Sequence, residues 1–125
     1  MKAFKDLTPG DIIYYYDHCK MKPLEVVSCK MEETENRIDT WRGYEVRKDK
    51  DLIITTKTGH PIKIYCSHHN GDITNVYRNH LKIFSCKEAA ENELNRLKNY
   101  RKHKIEEAQR RVNRYTAIMN KYEIL

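Results

Sequence analysis

The chain has 125 residues, 39% hydrophobic and 34% charged, with a formal net charge of +6; that is apolar material for one modest core and not for two. It holds no run of eighteen apolar residues, and Met1-Lys2-Ala3-Phe4-Lys5-Asp6 is not followed by an apolar leader, which argues against a membrane span or secretory signal and predicts a cytoplasmic protein. In a reducing cytoplasm Cys19, Cys29, Cys66 and Cys86 are expected as free thiols.

Taken in order, Leu7-Thr8-Pro9-Gly10-Asp11 reads as a type II turn, with Pro9 presetting φ and Gly10 supplying the positive φ of the third position. The strand that follows places Ile12, Tyr14 and Tyr16 on one face and Ile13, Tyr15 and Asp17 on the other. Both faces are largely apolar, so the strand is expected to be covered on both sides. Pro23 reads as a break, and Leu24 to Met31 as a second strand. Residues 32–50 are so charged that they read as a long loop, with a short strand at Tyr44-Glu45-Val46 as an option; loops of that length are often the functional part of a compact domain. Trp41, the one tryptophan, stands in it; that it folds back as a lid over the core is preferred, and the alternative keeps it, with Tyr44, as an exposed contact residue.

Leu52 to Thr56 is the surest strand, and Ile62 to Cys66 returns from it after Lys57-Thr58-Gly59-His60-Pro61. Asn70-Gly71 is a tight-turn signal. Ile73 to Tyr77 suits a strand or a helical turn, and Leu81 to Phe84 closes the β part. At Ser85 the apolar period changes from two to between three and four. Ser85 and Glu88 form an S-x-x-E capping box, in which the serine hydroxyl accepts the Glu88 amide.

Leu7-x-Pro-Gly-Asp-x-Ile-Tyr, the Thr-Gly hairpin and Ile83-Phe84-Ser85-x-x-Glu-Ala together resemble the small SH3-like barrel proteins of bacteria and their phages, over residues 7–90. The five short strands themselves fit a small five-stranded antiparallel SH3-like barrel or an OB-like meander over residues 1–84, the helical period after them makes residues 85–125 one long C-terminal α-helix of an α+β fold, and the resemblance implies the barrel of the two. It also implies a phage or mobile-element origin and a binding role rather than catalysis, with no particular ligand.

From Ile105 the helix carries Ile105, Ala108, Val112, Tyr115, Met119 and Tyr122 at spacings of three and four, a heptad seam of the coiled-coil kind. Arg101 interrupts it, making a stutter between Leu97 and Ile105. Something must cover the seam, and a second copy is preferred over the chain's own barrel or a partner protein. The chain therefore reads as a non-enzymatic interaction module that oligomerises or binds a partner protein, with Tyr15, Trp41, Tyr44 and the seam as contact residues. The alternative is nucleic-acid binding through the basic residues Lys98, Arg101, Lys102, Lys104, Arg110, Arg111 and Arg114. They spread around the helix, and Glu106 and Glu107 stand four residues before Arg110 and Arg111. A third reading is a Tyr-rich pocket that sequesters a small molecule. No cofactor is expected. Cys66 and His68, on one face of an extended strand, are the first candidates for a metal site, but the chain lacks the paired spacing that zinc sites use, so none is expected.

Overall fold

The computed structural model describes residues 1–66, 70–78 and 80–124. It is α+β: six antiparallel strands in one open sheet and a long C-terminal helix. The strands are β1 (Ile12–Asp17), β2 (Lys20–Thr40), β3 (Gly43–Thr56), β4 (Ile62–Tyr65), β5 (Asn75–Arg78) and β6 (Leu81–Phe84), and the helix is α1 (Lys87–Met119). Their order across the sheet is β4-β3-β2-β1-β6-β5. No helix among the described residues is long and apolar enough to cross a membrane, and all four cysteines are free thiols.

Two compact units divide the chain, residues 1–90 and 91–125. Within the first, the type II turn forms as expected, with Gly10 at φ +91° and the Asp11 amide donating to the Thr8 carbonyl at 3.1 Å. The Asp11 carboxylate accepts the Thr8 amide at 2.8 Å and its hydroxyl at 3.1 Å. β1 is covered on both sides. Its Ile13 and Tyr15 join the main core with Phe4, Val26, Leu52, Ile54, Ile62, Ile64 and Ile83. Tyr14 and Tyr16 pack with Phe84, Ala89 and Ala90 on the other face, where the first turn of α1 begins.

The expected break at Pro23 is absent. The turn falls earlier, at His18 and Cys19, both at positive φ (46° and 69°), as a two-residue hairpin turn demands. β2 pairs with β1 only over Lys20–Glu25 and with β3 only from Val26 onward. Pro23 thus sits where β2 has one neighbour, a position in which a sheet tolerates a residue without an N–H. One residue into the pairing with β3 the register slips at Val26/Ser28, leaving Val27 as the extra, exposed residue of a bulge.

Five strands and a closed barrel were expected; six strands in an open sheet are found. The ambiguous stretch after Ile73 supplies β5, and β4 and β5 remain the two unpaired edges. A side chain, not a backbone ladder, spans them: the Arg78 Nε donates to the Lys63 carbonyl at 2.8 Å. The charged stretch 32–50 is also no loop. It is the outer part of the β2–β3 hairpin, paired without interruption to Thr40↔Gly43.

At the N-terminus Phe4 is fully buried and ties the chain down through its amide, which donates to the Ile73 carbonyl at 3.0 Å. Lys5 does the same to Gly71. Gly71 has φ +76°, and a Cβ there would meet Leu52 Cδ2 at 3.1 Å and Lys5 Cβ at 3.2 Å, so the close approach of these segments requires glycine. Ser85 is buried, and its hydroxyl donates to the Lys2 carbonyl at 2.6 Å; α1 starts at Lys87, one residue later than the capping box implied.

The hydrogen bond from Lys2, followed by the Thr8 amide, holds the Asp11 carboxyl below its ordinary value of 3.8. A depressed carboxylate adds stability that is complete above the unfolded value and is lost as pH falls through the folded one. Asp11→Asn should therefore lower stability by about 1 kcal/mol at neutral pH. Its denaturant midpoint should fall less than that of the natural chain between neutrality and acid, which unfolding curves at both pH values would measure.

Candidate functional site

Two exposed surfaces stand out, one in each unit. The first is the outer β2–β3 ribbon. β4 pairs with β3 only over Asp51–Ile54, so from Glu33↔Lys50 to Thr40↔Gly43 the hairpin has no third strand, a reach of about 25 Å at 3.3 Å per residue. Apart from Thr34 and Asp49, its side chains from Glu32 to Lys50 are exposed. Cross-strand pairs Glu33–Lys50 (3.8 Å) and Glu35–Lys48 (3.9 Å) flank its stem. Such exposed pairs contribute under about 1 kcal/mol each.

Towards the tip, polar pairing gives way to aromatic and cationic groups. Trp41 and Arg42 occupy the turn, with Gly43 at φ +128° absorbing its twist. Arg42 lies 4.4 Å from the Trp41 ring centroid and Arg37 4.1 Å from that of Tyr44. Trp41 is 87% exposed and Tyr44 60%, while Ile38 and Val46 add apolar surface beside them. This combination is enriched at the energetic centres of protein interfaces. Sequence reasoning singled out Trp41 and Tyr44 but missed the ribbon and both stacked arginines. The signal was present in the alternation Thr34, Asn36, Ile38, Thr40 against Glu33, Glu35, Arg37, Asp39, ended by Gly43.

Tyr15, also expected as a contact residue, lies apart from both surfaces, half-buried against the core. The β1 alternation that buries Ile13 carries Tyr15 to the same side.

The second surface is α1. Ile105, Val112, Tyr115 and Met119 are between 57% and 70% exposed and Ala108 is exposed too. The helix passes Arg101 without a break and ends at Met119. Tyr122, 82% exposed, lies beyond that end, so the helical part of the seam stops one position earlier than its spacing implied. Of the basic residues, Lys104, Arg110 and Arg111 are engaged by Glu107 (3.8 Å), Glu106 (4.0 Å) and Glu107 (3.1 Å). Lys104 also lies 5.6 Å from the Tyr100 ring centroid. Lys98, Arg101, Lys102 and Arg114 are exposed and pair with no carboxylate among the described residues.

Cys66 is buried, and its thiol donates to the Ile64 carbonyl at 3.5 Å. Burial pushes that thiol up, and the Asp51 carboxylate adds to the shift while a backbone hydrogen bond at Leu52 opposes it. A thiol held protonated is a poor ligand and a poor nucleophile. Its suggested partner His68 lies outside the described residues, and among those described no group of three or more His, Cys, Asp or Glu is placed to hold a metal. Asp51, which the sequence did not single out, is 2% exposed and meets Lys63 at 3.3 Å, with its Oδ1 lacking a hydrogen-bond partner.

Comparison with protein-family models, with curated proteins and with solved structures yields no match.

The exposure of Trp41 is directly measurable. Its emission should lie where free indole emits in water, and acrylamide should quench it as readily as in a short tryptophan peptide. A blue-shifted, protected fluorescence would put Trp41 against the core instead.

Proposed function

We propose that this chain is a non-enzymatic interaction protein that pairs with a second copy of itself through α1 and presents the ribbon tip to a different protein. The observation that carries the reading is the row Ile105, Val112, Tyr115 and Met119, exposed at heptad spacing along one uninterrupted helix. Burying one such side chain is worth about 1.5–3 kcal/mol. The Glu106–Arg110 and Glu107–Arg111 pairs occupy positions off that row.

What favours a second copy as the occupant is the pattern flanking the seam. With Ile105, Val112 and Met119 at the first core position of each heptad and Ala108 and Tyr115 at the second, the flanks are Lys104 and Arg111 on one side and Gln109 and Thr116 on the other. In a parallel pair each basic flank faces a neutral one; in an antiparallel pair the basic flanks would face each other. The reading is therefore a parallel dimer. Arg101, at the stutter, would disfavour continuing the seam towards the sheet.

For the β part we infer an SH3-like barrel with an opened seam, supported by the sharply bulged β2 shared between two groups of strands and by Arg78 reaching across the β4–β5 gap. The bacterial or phage origin and the cytoplasmic setting belong to the same proposal. The absence of a catalytic role is supported by the chemistry of Cys66, a nucleophile with histidines close in sequence, which is buried and held as a thiol.

Light scattering on the purified protein tests the dimer. The natural chain should run at twice its 15.0 kDa monomer mass, and Val112→Glu with Met119→Glu should reduce it to one. Unchanged mass in that double variant, or a monomeric natural chain, would refute the pairing. A large heterogeneous mass absorbing strongly at nucleic-acid wavelengths would instead favour the second reading, in which Lys98, Arg101 and Lys102, free of carboxylate partners, hold phosphates.

A further inference from the structure

We propose that the interior side of the open sheet holds a small organic monoanion, an apolar acid whose carboxylate is bound by Arg78. A cavity of about 310 Å³ opens there, walled by Tyr15, Leu24, Ile62, Leu81 and Ile83, with Arg78 among its lining residues. These walls come from β1, β2, β4 and β6, and Thr58, Gly59 and His60 of the turn between β3 and β4 line the cavity as well. Its volume is at the lower end of the range for small-molecule sites, about 300–1,000 Å³. That size suits an aromatic or branched acid and excludes a folded peptide or a dinucleotide.

Arg78 supplies the recognition. Its Nε donates to the Lys63 carbonyl at 2.8 Å and its Nη1 to the Tyr77 carbonyl at 3.3 Å, while its guanidinium lies 4.7 Å from the Tyr65 ring centroid. Two carbonyls and an aromatic face thus hold the group in place. Both hydrogen-bond acceptors are neutral, and among the described residues no carboxylate pairs with it. None of the residues lining the cavity is acidic. The result is a half-buried cation, fixed in position and lacking an anion, beside an apolar chamber. The Nη2 protons and one Nη1 proton are left for a ligand, the fork geometry that a carboxylate accepts. A single guanidinium matches one negative charge. A phosphate dianion would call for a second fixed cation, and no lysine or further arginine lines the cavity, whose other basic side chain is the imidazole of His60.

The test is an amide-resonance titration of the ¹⁵N-labelled protein with indole-3-acetate and with its neutral analogue indole-3-acetamide. The acid should shift the amides of Thr58, His60, Leu81 and Ile83 saturably and bind about tenfold more tightly than the amide, the discrimination expected of one hydrogen-bonded charge. Arg78→Gln should erase that preference. Equal binding of acid and amide to the natural chain overturns the proposal. So does a preference that survives Arg78→Gln, shifts confined to residues away from the cavity, or no saturable shift up to about 1 mM. Should Arg78→Gln fail to fold, Leu24→Trp takes its place: it fills the chamber without altering Arg78. Acid binding should then be lost, and its retention overturns the proposal.

Discussion

Everything in the β part depends on one strand changing partners. β2 pairs with β1 over its first six residues and with β3 over the rest, and Val27 is the residue spent at the exchange. A bulge adds local twist and bends the strand that carries it. This lets β2 hold two groups of strands around one set of inward side chains, so that Val26 on one side of the bend and Ile54 and Ile64 on the other share a core. The same exchange frees Pro23 from needing an N–H. It also commits the second half of β2 to a partner that, past Asp51, has nothing on its other side.

That commitment produces the ribbon. A two-stranded ribbon with both faces wet is marginal alone, and here it is anchored where Leu52 and Ile54 enter the core. Its own residues contribute cross-strand ion pairs, the Asn36 side-chain hydrogen bond to Asp49 at 2.9 Å, and stacked arginines. These maintain pairing without burying anything. The aromatic groups at the tip stay exposed, stacked with Arg37 and Arg42.

The turn chemistry was legible in the sequence because it is local. Pro9-Gly10, the Thr58-Gly59 hairpin and the period change near Ser85 fall where they were read, and the two apolar faces of β1 are both covered. A failure arose where charge was taken as evidence of a loop. Residues 32–50 carry a strand alternation in which neither face is apolar, since neither is buried, and a hydrophobic period cannot report a strand that buries nothing. The barrel was misjudged for a different reason. Whether two edge strands close on one another is fixed by the bend of β2 and the short span of β4, and neither is written in any local pattern. Trp41 and Tyr44 were legible as unusual residues, whereas the depth of Tyr15 was not, because an aromatic strand does not announce which of its two covered faces holds the larger core. Arg78 was invisible, its part being defined by carbonyls and a ring from two different strands.

The ribbon's independence from the core bears on how its length can change. Adding one residue to each strand would turn the tip aromatics to the opposite face, whereas adding two to each would restore their direction and lengthen the arm by about 7 Å. The core, whose nearest ladder partner is Leu52, would be untouched either way. Descendants of this chain would therefore be expected to differ in arm length by paired increments, with the residues around Trp41 travelling outward as a unit.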